Sequence, residues 1–241
     1  MNGELQEFAR FLDENADAII APGGCQGLVL AHPEFDLFPR DFLHFAKESL
    51  HRRTPSAPVN CVSQLKRATE CQIDCLLHVM GLLGHFRKCN LGLERKLDFL
   101  NQFGVYSGRS LERLSNLRNK LEHEYKLPEV ADLQLYFDLV SGFINAMEAF
   151  VVLFSAFDDI EVILEQDSEN SEKSFFYSLD RERQVVRVKW PKEDQYATIE
   201  RGLEQYEDFA FLLRTAWLVL RLRKCLSVSD FRQLVSTLKE S

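Results

Sequence analysis

The stretch from Ala131 to Phe157 limits the folds open to this chain more than any other, because its apolar residues are spread almost all the way round a helix. Leu135, Phe137, Phe143, Ile144, Phe150, Val151 and Phe154 leave no broad polar face, and no proline interrupts them. A helix of this kind has to bury most of its circumference in a helical core, against another molecule, or in a bilayer. Its length approaches that of a membrane span, but Asp138, Asn145 and Glu148 would then sit inside hydrocarbon, which is costly without partners. The expectation is a buried helix, with an intermolecular helix face as its narrower form, and no membrane association.

The preceding residues supply companions for it. From Asn60 the apolar spacing is helical, with one helix predicted from about Val62 to Leu83 and stopped by Gly84, and a second from about Leu91 to Phe103. Ser110 opens a third, in which Leu111, Leu114, Leu117 and Leu121 repeat at three- and four-residue intervals until Pro128 ends it. With Ala131–Phe157 these make a four-helix bundle. The chain has 241 residues, 46% of them hydrophobic and 19 of them Phe, enough for one large core or two small ones.

Outside the bundle the pattern differs. Leu5, Phe8, Ala9, Leu12 and Ala16 predict an amphipathic helix over about Glu4 to Ala18. Ala21-Pro22-Gly23-Gly24 then breaks the chain, and the segment through Pro39 reads as a connector. Asp41 is the expected N-cap of a helix running to about Arg53. After Asp158 the period becomes strand-like in Ile160–Leu164, Phe175–Leu179 and Val185–Trp190, a small antiparallel meander closed by Pro191. Helix is expected again from about Thr198 to Leu226, then a short one capped by Ser229 and reaching Leu238. The fold class expected is mainly α: an N-terminal extension over 1–59, a helical bundle over 60–157, and a β-meander with C-terminal helices over 158–241.

Charge and cysteine usage bound the function. A formal net charge of -8 and a pI near 5.4 argue against a protein that coats nucleic acid through a broad basic surface, so any RNA contact must be local. Met1 is followed by no basic start and no apolar run, from which a cytoplasmic location is expected. The cysteines at 25, 61, 71, 75, 89 and 225 lack compact pairing and should be free thiols there.

One short segment concentrates chemistry, Leu117-Arg118-Asn119-Lys120-Leu121-Glu122-His123-Glu124-Tyr125, on the last turns of the third predicted helix. Arginine supplies a permanent charge shaped for phosphate oxygens, and histidine moves protons near neutral pH. Arg118 and His123 are five positions apart, about 140° around a helix at roughly 100° per residue, whereas Asn119 and His123 share a face. Either the long Arg118 side chain reaches round to the same site, or two copies of the segment meet across a dimer axis.

The segment resembles the signature of the HEPN superfamily, in which Arg, a polar residue, three further residues and His lie on a four-helix bundle. Tyr125, two residues beyond His123, makes it look like the HEPN toxins paired with nucleotidyltransferase antitoxins. The likeness covers about Asn60 to Phe157. It implies a homodimeric endoribonuclease needing no metal or other cofactor, with RNA as substrate. By the resemblance His123 would act as general base or acid, Arg118 would stabilise the phosphorane-like transition state, and Asn119 would orient the histidine or the phosphate. Tyr125 would be the hydroxyl that a nucleotidyltransferase antitoxin modifies with AMP.

Other readings of the same residues stand beside this one. Arg118 with Glu122, and Lys120 with Glu124, are i,i+4 pairs suited to an exposed helix face, and the two glutamates beside His123 would repel phosphate. That favours a non-catalytic interaction or regulatory module on the same bundle. Cys71, Cys75 and His78, with His85 and Cys89 beyond, have spacings that can bind zinc, but without a CxxC pair they read better as a half-buried helix face. Arg214, Arg221, Arg223 and Lys224 form a late basic group that could assist RNA binding or simply face solvent.

Overall fold

The computed structural model describes residues 3–26, 33–52, 54–105, 130–156, 159–165 and 173–240. They form a mainly α protein with a five-stranded antiparallel sheet. The chain divides into two compact units, each discontinuous in sequence. One comprises Met1–Val29, Asp98–Tyr106 and Ala156–Ser241, the other Leu30–Leu97 and Ser107–Ser155. This division cuts across the expected boundaries at 59 and 157, since the N-terminal helix belongs with the C-terminal sheet.

In the sheet unit the strands are β1 (Ile19–Gln26), β2 (Asp159–Leu164), β3 (Lys173–Asp180), β4 (Val185–Lys192) and β5 (Gln195–Gly202), ordered as in the sequence. Alternation sends Ile160, Val162, Phe175, Tyr177, Val186, Val188 and Trp190 into the core. Helix α1 (Gly3–Glu14) buries Leu5, Phe8, Ala9 and Leu12, spaced three and four apart as one apolar stripe. The Phe8 ring lies 5.0 Å from Trp190, and Phe11 meets Phe175 edge-on at 5.4 Å. The long helix near the C-terminus, Tyr206–Arg221, buries Phe209, Leu212, Leu213 and Leu218.

Arg201 on β5 is the one buried charge of this unit that the described residues show paired twice: Nη2 donates to Glu4 on α1 at 2.7 Å and Nε to Asp208 at 2.9 Å. A buried guanidinium needs such partners to offset its lost hydration. The last helix, Val228–Glu240, is held by Arg232, which reaches Asp17 at 2.5 Å.

The helical unit contains α2 (Pro39–His51), α3 (Ala57–Val79), α4 (Leu83–Lys88) and the long apolar helix α6 (Val130–Ala156); α5 (Leu93–Phe103) starts in this unit and ends in the other. The helices Tyr206–Arg221 and Val228–Glu240 are then α7 and α8. Helix α2 lies along α3 through Leu43, Ala46 and Ser49. Two of the three polar residues expected to trouble α6 have a partner: Arg40 of α2 forms a bidentate pair with Glu148 at 2.7 and 2.5 Å and also reaches Asn145.

Six expectations need correction. The stretch read as a connector contains β1, an edge strand that accommodates Pro22 and the glycines through register shifts at Ile19/Ala21 and Pro22/Gly24. The helix expected from Thr198 is strand β5 up to Gly202, so the meander gains an edge on both sides. Helix α2 begins at Pro39, and Asp41 caps it from inside, accepting from the Phe38 N–H at 2.8 Å. Helix α3 stops at Gly81 (φ 73) rather than Gly84, and Ser227 rather than Ser229 accepts from the first-turn N–H of α8. Finally, α6 is buried on one face only, through Val140, Phe143, Ile144, Met147 and Phe150, while Leu135 is 57% and Val152 69% exposed. Among the described residues one helix, Asp132–Ser155, is long and apolar enough to cross a membrane, and 28% of its apolar 18-residue window is buried.

The double pairing of Arg201 predicts unequal costs in urea unfolding. Arg201→Ala should lower stability by about 2–3 kcal/mol, because it strands a largely buried carboxylate at Asp208. Glu4→Gln, at a side chain 60% exposed, should cost under about 1 kcal/mol. Equal losses would contradict the assignment of Asp208 as the buried half of the pair.

Candidate functional site

The HEPN-like segment, with Arg118, Asn119, His123 and Tyr125, lies outside the described residues, as does the third predicted helix. Its sequence neighbours are described. Helix α5 ends at Phe103, followed by Gly104 at φ 76, a left-handed conformation that ends helices and that side chains adopt with strain. A Cβ at Gly104 would also stand 3.1 Å from Nε of Arg214. Helix α6 resumes at Val130.

The cysteine and histidine constellation is described and does not converge. Cys75 is buried, and Cys71, half-buried one turn earlier, donates to the Leu37 carbonyl at 3.6 Å. The hydrogen bond between the two thiols holds Cys71 below the usual thiol range and, with burial, drives Cys75 well above it. His85 and Cys89 face each other at 3.7 Å on α4. Among the described residues no three His, Cys, Asp or Glu side chains are placed to hold one metal ion. Cys61 is pushed up to about 11 by burial alone.

The late basic residues are engaged separately. Arg214 is half-buried behind Gly104, Arg221 lies over the Trp217 ring at 5.5 Å, and Arg223 donates to the Asp17 carbonyl.

A concave surface lies where the sequence analysis assigned nothing, on the open face of the sheet. A groove of about 790 Å³ is lined by Asp159, Glu161, Phe176, Ser178, Arg187, Lys189, Tyr196 and Thr198. Strand register arranges these residues in rows. Glu161 faces Phe176, Phe176 faces Lys189, and Lys189 faces Thr198 across successive strands. The next row runs Asp159, Ser178, Arg187, Glu200. Both rows carry an acid on β2, a neutral side chain on β3 and a base on β4, with cross-strand neighbours about 5 Å apart. Arg187 is committed, donating to Glu200 at 2.5 and 2.8 Å, and that contact is the first cause holding the Glu200 carboxyl below the usual range. Lys189 is exposed and makes no ion pair among the described residues. The Phe176 and Tyr196 rings lie 6.1 Å apart, and Tyr196 is 52% exposed.

The signal for this face was present in sequence as alternation: Glu161, Phe176, Ser178, Arg187 and Lys189 are the outward half of strands whose inward half is apolar. Comparison with protein-family models, curated proteins and solved structures finds no match.

The thiol environments predict an order of alkylation. At pH 8 iodoacetamide should modify the exposed Cys89 and Cys225 and the half-buried Cys71, whose thiol is held low, with Cys61 and Cys75 protected until the fold is denatured. Peptide mass spectrometry over a time course reads this directly. Early modification of Cys75 would contradict its buried, hydrogen-bonded placement.

Proposed function

We propose that this chain is a metal-independent endoribonuclease of HEPN type that acts as a homodimer on a four-helix bundle. The observation that carries the reading is the spacing Arg118-Asn119, three residues, His123, one residue, Tyr125. The helical character of the described residues on either side of it, α2 to α4 and α6, supports the reading further.

In the reaction His123 of one protomer accepts the proton of the ribose 2′-hydroxyl as its oxygen attacks phosphorus. The P–O5′ bond breaks, and the leaving oxygen takes a proton from His123 of the partner subunit. Arg118 balances the charge that gathers on the non-bridging oxygens, and Asn119 orients the imidazole or the phosphate. The products are a 2′,3′-cyclic phosphate and a 5′-hydroxyl. Tyr125 is the acceptor for AMP from a nucleotidyltransferase antitoxin, which silences the site and gives the protein a role as a toxin or in defence. A cytoplasmic setting accords with this role.

Glu122 and Glu124 favour a second reading, because carboxylates on both sides of His123 repel an RNA phosphate. On it the same bundle is a non-catalytic interaction or regulatory module.

Incubating a mixed RNA pool with the protein in EDTA separates the two. Wild type should cleave, and His123→Ala and Arg118→Ala should each lose at least about a hundredfold in rate while keeping fold and dimer. A well-folded wild-type dimer that leaves the pool intact, with no AMP on Tyr125 by mass spectrometry, would favour the module.

A further inference from the structure

We propose that the open face of the β-sheet is a binding platform for unpaired bases of single-stranded RNA, with Phe176 and Tyr196 as stacking surfaces and Lys189 as the phosphate contact. This deepens the ribonuclease reading by naming where a substrate strand is held, and it rests on that reading for the choice of RNA as the ligand.

Three features of the groove argue for it. First, its two aromatic rings form one pair, 6.1 Å apart, ringed by polar side chains, with Glu161 and Lys189 flanking Phe176 across the sheet. So small an apolar area, an exposed Tyr196 beside a half-buried Phe176, offers little to an apolar helix, but it matches the flat face of a base, and stacking of this kind tolerates any sequence. Second, β2 to β4 have neighbours on both sides, so a peptide could pair only along the edge strands β1 and β5 and not across the rows themselves. Third, the charges are ordered. Asp159 and Glu161 on β2 repel phosphate but accept hydrogen bonds from base amino and imino groups. Lys189 on β4 attracts phosphate, with Ser178 and Thr198 beside it as neutral hydrogen-bonding groups.

A base stacked on Phe176 therefore has one edge toward a carboxylate and its sugar-phosphate toward an ammonium. The strand is oriented, bases across β3 and backbone over β4 and β5. This also answers the net charge of -8, since the cation is local and the acids serve base edges. Duplex RNA, whose bases are already stacked and paired, fits the face poorly.

Fluorescence anisotropy of a labelled single-stranded RNA tests this in the full-length His123→Ala protein, where cleavage cannot remove the probe. Tyr196→Ala and Lys189→Glu, both at exposed positions that leave the core intact, should each weaken binding about tenfold, and Phe176→Ala at least as much. Lys189→Ala should reduce the salt dependence by about one counterion. An abasic strand of the same length and a duplex should both bind at least about tenfold more weakly. Equal affinity across these variants, or equal affinity for the abasic strand, would overturn the assignment. So would the absence of any saturable RNA binding, which would leave the groove to a protein partner. Binding that follows these variants in a protein whose wild type cleaves nothing would keep the platform and remove the nuclease. Cleavage by wild type that is indifferent to Phe176, Tyr196 and Lys189 would do the reverse.

Discussion

The antiparallel pairing of Ile19–Gln26 with Asp159–Leu164 is the contact on which the rest of the sheet unit depends. It joins strands separated by the whole helical region, so the loop that it closes is long and its entropy must be met by burial elsewhere. That burial is supplied from both ends of the chain. Helix α1, directly before β1, sets Phe8 and Phe11 on Trp190 and Phe175. Arg201 then ties α1 and α7 to β5 through Glu4 and Asp208. One face of the sheet is closed by this arrangement. The outward residues of β2 to β5 are left to form a groove whose charged rows follow directly from strand register.

Much of this was legible in the residues, and the parts that were not have physical reasons. The stripes Leu5-Phe8-Leu12 in α1 and Phe209-Leu212-Leu213 in α7, and the alternation in β2 to β4, each report a local period that tertiary packing confirms. Strand β1 was hidden because Pro22, Gly23 and Gly24 are breakers by propensity, and only a long-range partner with register shifts makes an edge strand of them. Strand β5 was hidden because its hairpin turns at Glu193-Asp194 without glycine or asparagine, Glu193 taking φ 52 against its own preference. Its inward positions include Arg201, which no hydrophobic pattern would place in a core. The division into units was unreadable for the same reason, since it depends on contacts between the two ends of the chain.

The long apolar helix illustrates how composition can overstate burial. Residues 130–156 read as apolar on nearly every side, yet Leu135 and Val152 stand exposed and the buried set occupies one face. Its polar residues are the better guide, because Asn145 and Glu148 mark the contact with Arg40 on α2. The candidate chemistry divides in a similar way. The Arg118 and His123 spacing was found from sequence alone, whereas the sheet face needed register to bring Glu161, Phe176 and Lys189 into one row. If both proposals hold, RNA meets the chain at two local places, one that stacks bases and one that moves protons.

The chemistry of the cut ends tests the central claim most directly. A general base acting on the ribose 2′-hydroxyl, with no metal-bound water, requires the attacking oxygen to come from the RNA itself. Mass spectrometry of a defined oligonucleotide cleaved in EDTA should therefore find a 2′,3′-cyclic phosphate on one fragment and a 5′-hydroxyl on the other. Fragments bearing 3′-hydroxyl and 5′-phosphate ends would show that water attacked instead, and would contradict the roles assigned to His123 and Arg118.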